Sequence, residues 1–238
     1  MIKTVLFDID NTLYDFDHAN LRALDAVGEY TQREFGWDAG SFRERNRNMM
    51  QAMHARMGDV SAYHNRLIRF QNMLEQEGLP LYPHALRMYQ LYWDTVIETA
   101  VVSPGAEDVL RGLKEQGYRI GIGTDMTAWI QFQKLERLQL LPYIDFLVSS
   151  EEACAEKPTK PMFDLCVKKA GCTAGECLFI GDSLERDYRG AKNAGMHALW
   201  FVPPGGTFRG GDAGDEPVPQ IDRLEQIFAY LKNGGQIG

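Results

Sequence analysis

The sequence predicts an α/β protein: a Rossmann-like parallel-sheet core with helices on both faces, and an all-helical segment inserted after the first strand. Three observations point there. From Ser103 onward, short apolar runs of strand length alternate with segments of helical period, the pattern of a sheet built from crossover units. From Tyr14 to about Val102 the period is helical throughout. Several of the apolar runs end in polar or acidic residues, at the strand ends where open α/β sheets gather their ligand-binding groups.

The elements follow in order. Thr4-Val5-Leu6-Phe7 reads as a buried strand, and Asp8-Ile9-Asp10-Asn11-Thr12 follows it directly. Asp17 to Phe35 carries Leu21, Leu24, Val27 and Tyr30 at helical spacing. Ser41 is placed to cap a second helix running through Met49, Met50, Met53 and Met57. A third helix includes Tyr63, Leu67, Phe70 and Leu74 and stops at Gly78; a fourth follows Pro83. Ser103-Pro104-Gly105 marks the return to alternation. Strands are then expected at Tyr118–Gly123, Phe146–Val148, Cys177–Ile180 and His197–Val202. Helices are expected around Leu110, at Trp129–Leu140, Met162–Ala170 and Arg186–Ala194, with a closing helix at Leu224–Leu231. Pro203 to Pro219, rich in Gly, Pro and acids, reads as a loop. The expected organisation is an α/β core of 1–14 plus 103–238, interrupted by a helical cap at 15–102. The chain enters the insert beside Asp8 and Asp10, so the insert is expected to cover that strand end as a lid.

Composition narrows the function. The 238 residues hold 25 Lys and Arg against 33 Asp and Glu, a net charge of −8. That balance argues against a nucleic-acid polymer as partner, which needs a basic footprint. Cys154, Cys166, Cys172 and Cys177 form no C-x-x-C pair and have no accompanying His cluster, so they read as reduced thiols rather than a zinc site. No apolar stretch approaches the length that crosses a bilayer, and the short N-terminal apolar run leads straight into acids rather than a cleavage site. These features predict a cytoplasmic protein with no membrane partner.

The chemistry sits at the strand ends. Side chains at i and i+2 leave an extended backbone on one face, so Asp8 and Asp10 project together. Their repulsion calls for a cation or a shared proton. Gly123-Thr124-Asp125, Lys157-Pro158, and Gly181-Asp182-Ser183 with Asp187 each fall at a strand-to-helix junction. A parallel sheet brings such junctions to one edge, so Asp8, Asp10, Thr124, Lys157 and Asp182 are expected to converge. One carboxylate can attack phosphorus, a second can serve as acid and then base, and a third adds an oxygen ligand for Mg²⁺. Thr124 and nearby backbone N–H groups can hold phosphate oxygens, and Lys157 can offset transition-state charge.

These motifs resemble those of the haloacid dehalogenase (HAD) superfamily, in the branch with a helical cap after the first motif. Asp8, Asp10 and Thr12 match its D-x-D-x-T motif, Thr124 the second motif, Lys157 and Pro158 the third, and Gly181, Asp182, Ser183 and Asp187 the fourth. The resemblance implies Asp8 as nucleophile and metal ligand. It implies Asp10 as general acid/base, with its backbone carbonyl reaching the metal. Asp182 completes the metal ligands, and Thr12 and Asp187 support the site from behind. Thr124, Asp125 and Lys157 bind the phosphoryl group. The implied activity is Mg²⁺-dependent hydrolysis of a small phosphorylated metabolite, a sugar phosphate or nucleoside monophosphate, through an aspartyl-phosphate.

Related activities weigh less. A dehalogenase of this fold lacks an acid at the Asp10 position. A phosphosugar mutase tends to carry His where this chain has Asn20, and a non-catalytic relative typically loses the nucleophile or the metal Asp. One residue departs from the family pattern. Many relatives carry Asn where this chain has Asp125, and its carboxylate is expected to face the cap and meet a leaving-group donor or a cap arginine. Segment 39–69 holds Arg43, Arg45, Arg47, Arg56, Arg66 and Arg69. A solvated helix face is the simpler reading of that stretch; one or two arginines reaching the leaving group is the alternative. The Met stripe reads as core filler and His18 as a surface or hinge-packing residue.

Overall fold

The computed structural model describes residues 1–58, 60–204, 211, 213–214 and 217–234. Most of the expected 203–219 loop therefore lies outside the described residues. The chain forms two compact units, one of Met1–Asp15 with Val101–Gly238 and one of Phe16–Ala100.

The elements run in chain order as β1 (Thr4–Phe7), α1 (Phe16–Phe35), α2 (Ala39–Met57), α3 (Arg66–Gln76), α4 (His84–Thr99), α5 (Ala106–Glu115) and β2 (Arg119–Thr124). Then come α6 (Ala128–Arg137), β3 (Phe146–Ser149), α7 (Ser150–Ala153), α8 (Lys160–Ala170), β4 (Cys177–Gly181), α9 (Gly190–Asn193), β5 (His197–Phe201), β6 (Gln220–Ile221) and α10 (Gln226–Lys232). The expected α/β class holds. The six strands are all parallel, in the order β3-β2-β1-β4-β5-β6.

The central strands are apolar because both sides of each are covered. Val5, Leu6, Phe7, Ile120, Ile122, Leu178, Ile180 and Leu199 are all fully buried. Register then places the site. Phe7 lies opposite Ile122 on β2 and Ile180 on β4, so Asp8, Thr124 and Asp182 emerge from adjacent strand ends. The strand order reverses at β1, and its C-terminal end is the switch point where doubly wound sheets bind ligands.

After β4 the chain does not enter the single helix expected at Arg186–Ala194. A π-helical turn at Leu184–Arg189 comes first, followed by α9. Ser183 starts the turn by accepting from the Arg186 N–H through its Oγ, and its carbonyl accepts from Asp187 and Tyr188. The wide turn returns Asp187 to the strand end, where its Oδ2 accepts from the Ser183 N–H at 2.9 Å. The two-residue β6 was not expected, being too short to show alternation. The four cysteines form no disulfide.

The helical unit is built by caps and apolar faces. α1 buries Ala19, Ala23, Val27 and Tyr30, and packs mainly on α4. α2 is capped by Asp38, whose Oδ1 accepts from the Ser41 N–H at 2.8 Å, and not by Ser41 itself. Asp38 wins because it stands one residue before the helix, with its carboxylate on the third N–H. Asn65 caps α3 by accepting from Leu67 and Ile68, so Tyr63 falls in a short 3₁₀ turn rather than in the helix. Of the Met stripe, Met49 and Met53 are buried. No described helix is long and apolar enough to cross a membrane.

A close approach at the end of β4 makes one position intolerant. A Cβ on Gly181 would lie 2.3 Å from the Asp187 carboxyl carbon, whereas one on Gly175 would meet nothing within 4 Å. Gly181→Ala is expected to lose about 1–3 kcal/mol of stability in urea unfolding. Gly175→Ala is expected to stay within about 0.5 kcal/mol of the parent.

Candidate active site

The sheet delivers Asp8 to the end of β1, where its N–H donates to the Ile180 carbonyl at 2.9 Å. Its side chain is buried beside Lys157, which enters from the loop after α7. Lys157 Nζ donates to Asp8 Oδ1 at 2.6 Å and to Asp187 Oδ1 at 2.7 Å, with only 3% of its side chain exposed. Asp8, Asp182 and Asp187 each place a carboxylate oxygen within 4.8 Å of the other two. Two acids thus share one ammonium, and a third lies beside them.

The electrostatics follow from that imbalance. Burial pushes Asp8 up to about 7, partly opposed by Lys157 and reinforced by Asp187 and Asp10. Burial, then Asp187 and Asp8, push Asp182 up to about 8. Burial alone would lower Lys157, yet the carboxylates of Asp187, Asp8 and Asp125 together raise it. Both oxygens of Asp187 are engaged, by Lys157 and by the Ser183 N–H. Asp182 has no such partner among the described residues, and its carboxylate is the one left without a donor. When all three acids are ionised, Lys157 leaves two negative charges uncompensated. Hard oxygen donors with that charge fit a divalent ion such as Mg²⁺.

Asp10 lies apart from this trio. Its Oδ1 accepts from Lys134 Nζ at 2.6 Å. Lys134 is fully buried, with its ammonium 5.5 Å from the Tyr14 ring centroid. Burial would raise Asp10, but Lys134 outweighs it and holds the carboxyl below its ordinary range. Thr124 Oγ1 accepts from Gln131 Nε2 at 2.7 Å, and the same amide reaches the Asp125 carbonyl at 2.8 Å. Thr12 is fully buried behind the first motif, its hydroxyl without a hydrogen-bond partner among the described residues.

Asp125 departs from expectation. Both its carboxylate oxygens are engaged by partners within the core unit. Oδ1 accepts from the Lys157 backbone N–H at 3.0 Å, and Oδ2 from Arg186 Nη2 at 2.6 Å. Arg186 also donates to the buried Glu156 at 3.0 Å. The reason is local: a buried carboxylate takes the nearest cation, and the π turn presents Arg186.

The structure brings Asp8, Asp182, Asp187 and Lys157 together, with Asp125 bonded to the Lys157 backbone. Lys134, Gln131, Glu156 and Arg186 were not singled out from sequence. A signal existed for two of them. Gln131 and Lys134 sit with Ile130 and Leu135 on the buried face of α6, where the helical period demands apolar residues.

Comparison with known proteins agrees with this geometry. The family model described as haloacid dehalogenase-like hydrolase matches residues 2–195. A ribulose-1,5-bisphosphate 5-phosphatase of Halopiger xanaduensis is 37% identical over 206 residues, covering 85% of this chain and 86% of that protein. A glyceraldehyde 3-phosphate phosphatase of Pyrococcus abyssi is 30% identical over 235 residues, covering 98% and 95%. The crystal structure of a HAD phosphatase from Thermococcus onnurineus superposes with a TM-score of 0.75 at 26% identity, covering 99% of each chain. Motifs, topology and likeness along nearly the whole length converge, and the chain belongs to the haloacid dehalogenase-like hydrolases.

Proposed function

We propose that the protein is a cytoplasmic, Mg²⁺-dependent phosphatase that hydrolyses a small phosphomonoester, a sugar phosphate or nucleoside monophosphate, through an aspartyl-phosphate. The observation that carries the reading is Asp8 at the sheet's switch point, 2.6 Å from a buried lysine and clustered with Asp182 and Asp187. The phosphatase names of its relatives support the substrate class.

Asp8, Asp182 and the backbone carbonyl of Asp10 would hold the ion, with Asp187 bracing Lys157 and the Ser183 N–H. Held there, a divalent ion would supply positive charge against the phosphoryl oxygens and Asp8. Asp8 attacks phosphorus in line with the ester oxygen, the P–O bond breaks, and Asp10, whose carboxyl the incoming phosphoryl dianion raises against the pull of Lys134, gives its proton to the departing alcohol. Asp10 then takes a proton from the water that cleaves the acyl phosphate, which frees Asp8 and releases inorganic phosphate. Thr124 and Lys157 hold the transferred group. Lys134 keeps the Asp10 carboxyl in one place, and the Asp125–Arg186 pair fixes the backbone from which Lys157 projects. In this reading the helical unit is the cap that selects the leaving group.

Wild-type protein is expected to release inorganic phosphate from members of a panel of sugar phosphates, nucleotides and small phospho-acids, only with Mg²⁺ present. Asp8→Asn is expected to abolish the release, and Asp10→Asn to lower kcat by about 10²–10⁴-fold. No release from any member by folded wild-type protein would overturn the reading. Lys134→Met is expected to lower kcat more for alkyl phosphates than for p-nitrophenyl phosphate, whose leaving group needs less protonation. An equal loss on both would show that Lys134 does not act through Asp10.

A further inference from the structure

Two guanidinium groups lie buried in the helical unit with no acid beside them among the described residues. Arg66 and Arg69 stand three residues apart on α3 and share a face. Arg66 is 8% exposed and Arg69 3%. Arg66 is held by neutral partners: Nη1 donates to the His64 carbonyl at 2.8 Å and Nη2 to the Tyr92 hydroxyl at 3.2 Å. Its guanidinium lies 5.1 Å from the Tyr92 ring centroid and 5.7 Å from that of Trp93. The Tyr92 hydroxyl in turn donates to Asn20 Oδ1 at 2.6 Å.

Among the described residues the Arg69 side chain has no hydrogen-bond or ion-pair partner, and its Nε is buried. Burial, followed by the repulsion of Arg66, pulls its pKa down to about 9, and the described groups opposing that fall are Tyr92 and Tyr63. The surrounding arginines differ. Arg43 pairs with Asp25 and Arg45 with Glu77, while Arg47 and Arg56 are exposed. A solvated helix face therefore describes four of the six, and Arg66 and Arg69 are the exceptions.

A buried guanidinium with no counter-charge is unfavourable, and a second one beside it makes it more so. A neutral side chain of similar volume would pack at lower energy. An arriving oxyanion removes the penalty on both groups, and the guanidinium fork matches phosphate and carboxylate oxygens. We infer that Arg66 and Arg69 form an oxyanion site in the helical unit that binds a phosphate or carboxylate group. The anion is either a second acidic group of the phosphorylated substrate or free inorganic phosphate. The site rests on the geometry of α3; only the assignment to a substrate rests on the phosphatase reading.

The test has two arms. In the first, inorganic phosphate is titrated into the full-length protein while the arginine Nε–H resonances are followed by ¹⁵N NMR, with Arg69 assigned by its absence in Arg69→Gln. In the second, kcat/KM is compared for 3-phosphoglycerate and glycerol 3-phosphate, which differ by a carboxylate. Arg69→Gln is expected to cost about 10- to 100-fold on the phosphoglycerate, with little change on the other ester. That selective loss assigns the site to a second acidic group. A saturable Arg69 shift with equal loss on both esters assigns it to free phosphate. An unmoved Arg69 resonance together with equal or no loss overturns the inference. Should Arg69→Gln fail to fold, Arg69→Lys keeps the charge and removes the fork. If wild-type protein hydrolyses neither ester, the phosphatase reading fails on these substrates and the titration alone decides the site.

Discussion

Crowded negative charge at the end of β1 is the constraint on which the site depends. Asp8, Asp182 and Asp187 bring oxygens within 4.8 Å of one another beside a single buried ammonium. Two like charges about 4 Å apart repel by about 4 kcal/mol at an effective dielectric of 20. That is a large share of a typical folding free energy of about 5–15 kcal/mol. The fold carries such a cluster because parallel register fixes two of the acids and the π turn fixes the third. A divalent cation is the simplest way to relieve it.

Charge is compensated group by group around the core. Asp10 has Lys134, Asp125 and Glu156 share Arg186, and Asp8 and Asp187 share Lys157. Asp182 alone has no ion-pair partner among the described site acids. The helical unit shows the opposite imbalance, two buried guanidinium groups with no acid beside them among the described residues. In both places the described side chains leave charge unmatched, and a ligand of opposite charge gains most by binding there.

Much of the core was legible in sequence because its grammar is local. Apolar runs of four to six residues ending in Asp8, Thr124 and Asp182 identify strands and their chemical ends at once, and parallel order brings the ends together. What was not legible depended on tertiary context. Lys134 and Gln131 look like ordinary surface residues of α6 until their positions are read against the buried face. Arg186 becomes the partner of Asp125 only because the turn after β4 is π-helical, and nothing in its composition marks it so. The burial of Arg66 and Arg69 was hidden because a run of arginines ordinarily signals solvent, and the turn before them hid the Asn65 cap.

The most direct measurement is Mg²⁺ binding by calorimetry to wild-type protein and to Asp182→Asn, with folding verified by circular dichroism. One site in the wild type, lost or strongly weakened in the variant, is the predicted result. Absence of binding to the wild type, or equal binding to both, would contradict a divalent-ion centre built on this carboxylate cluster.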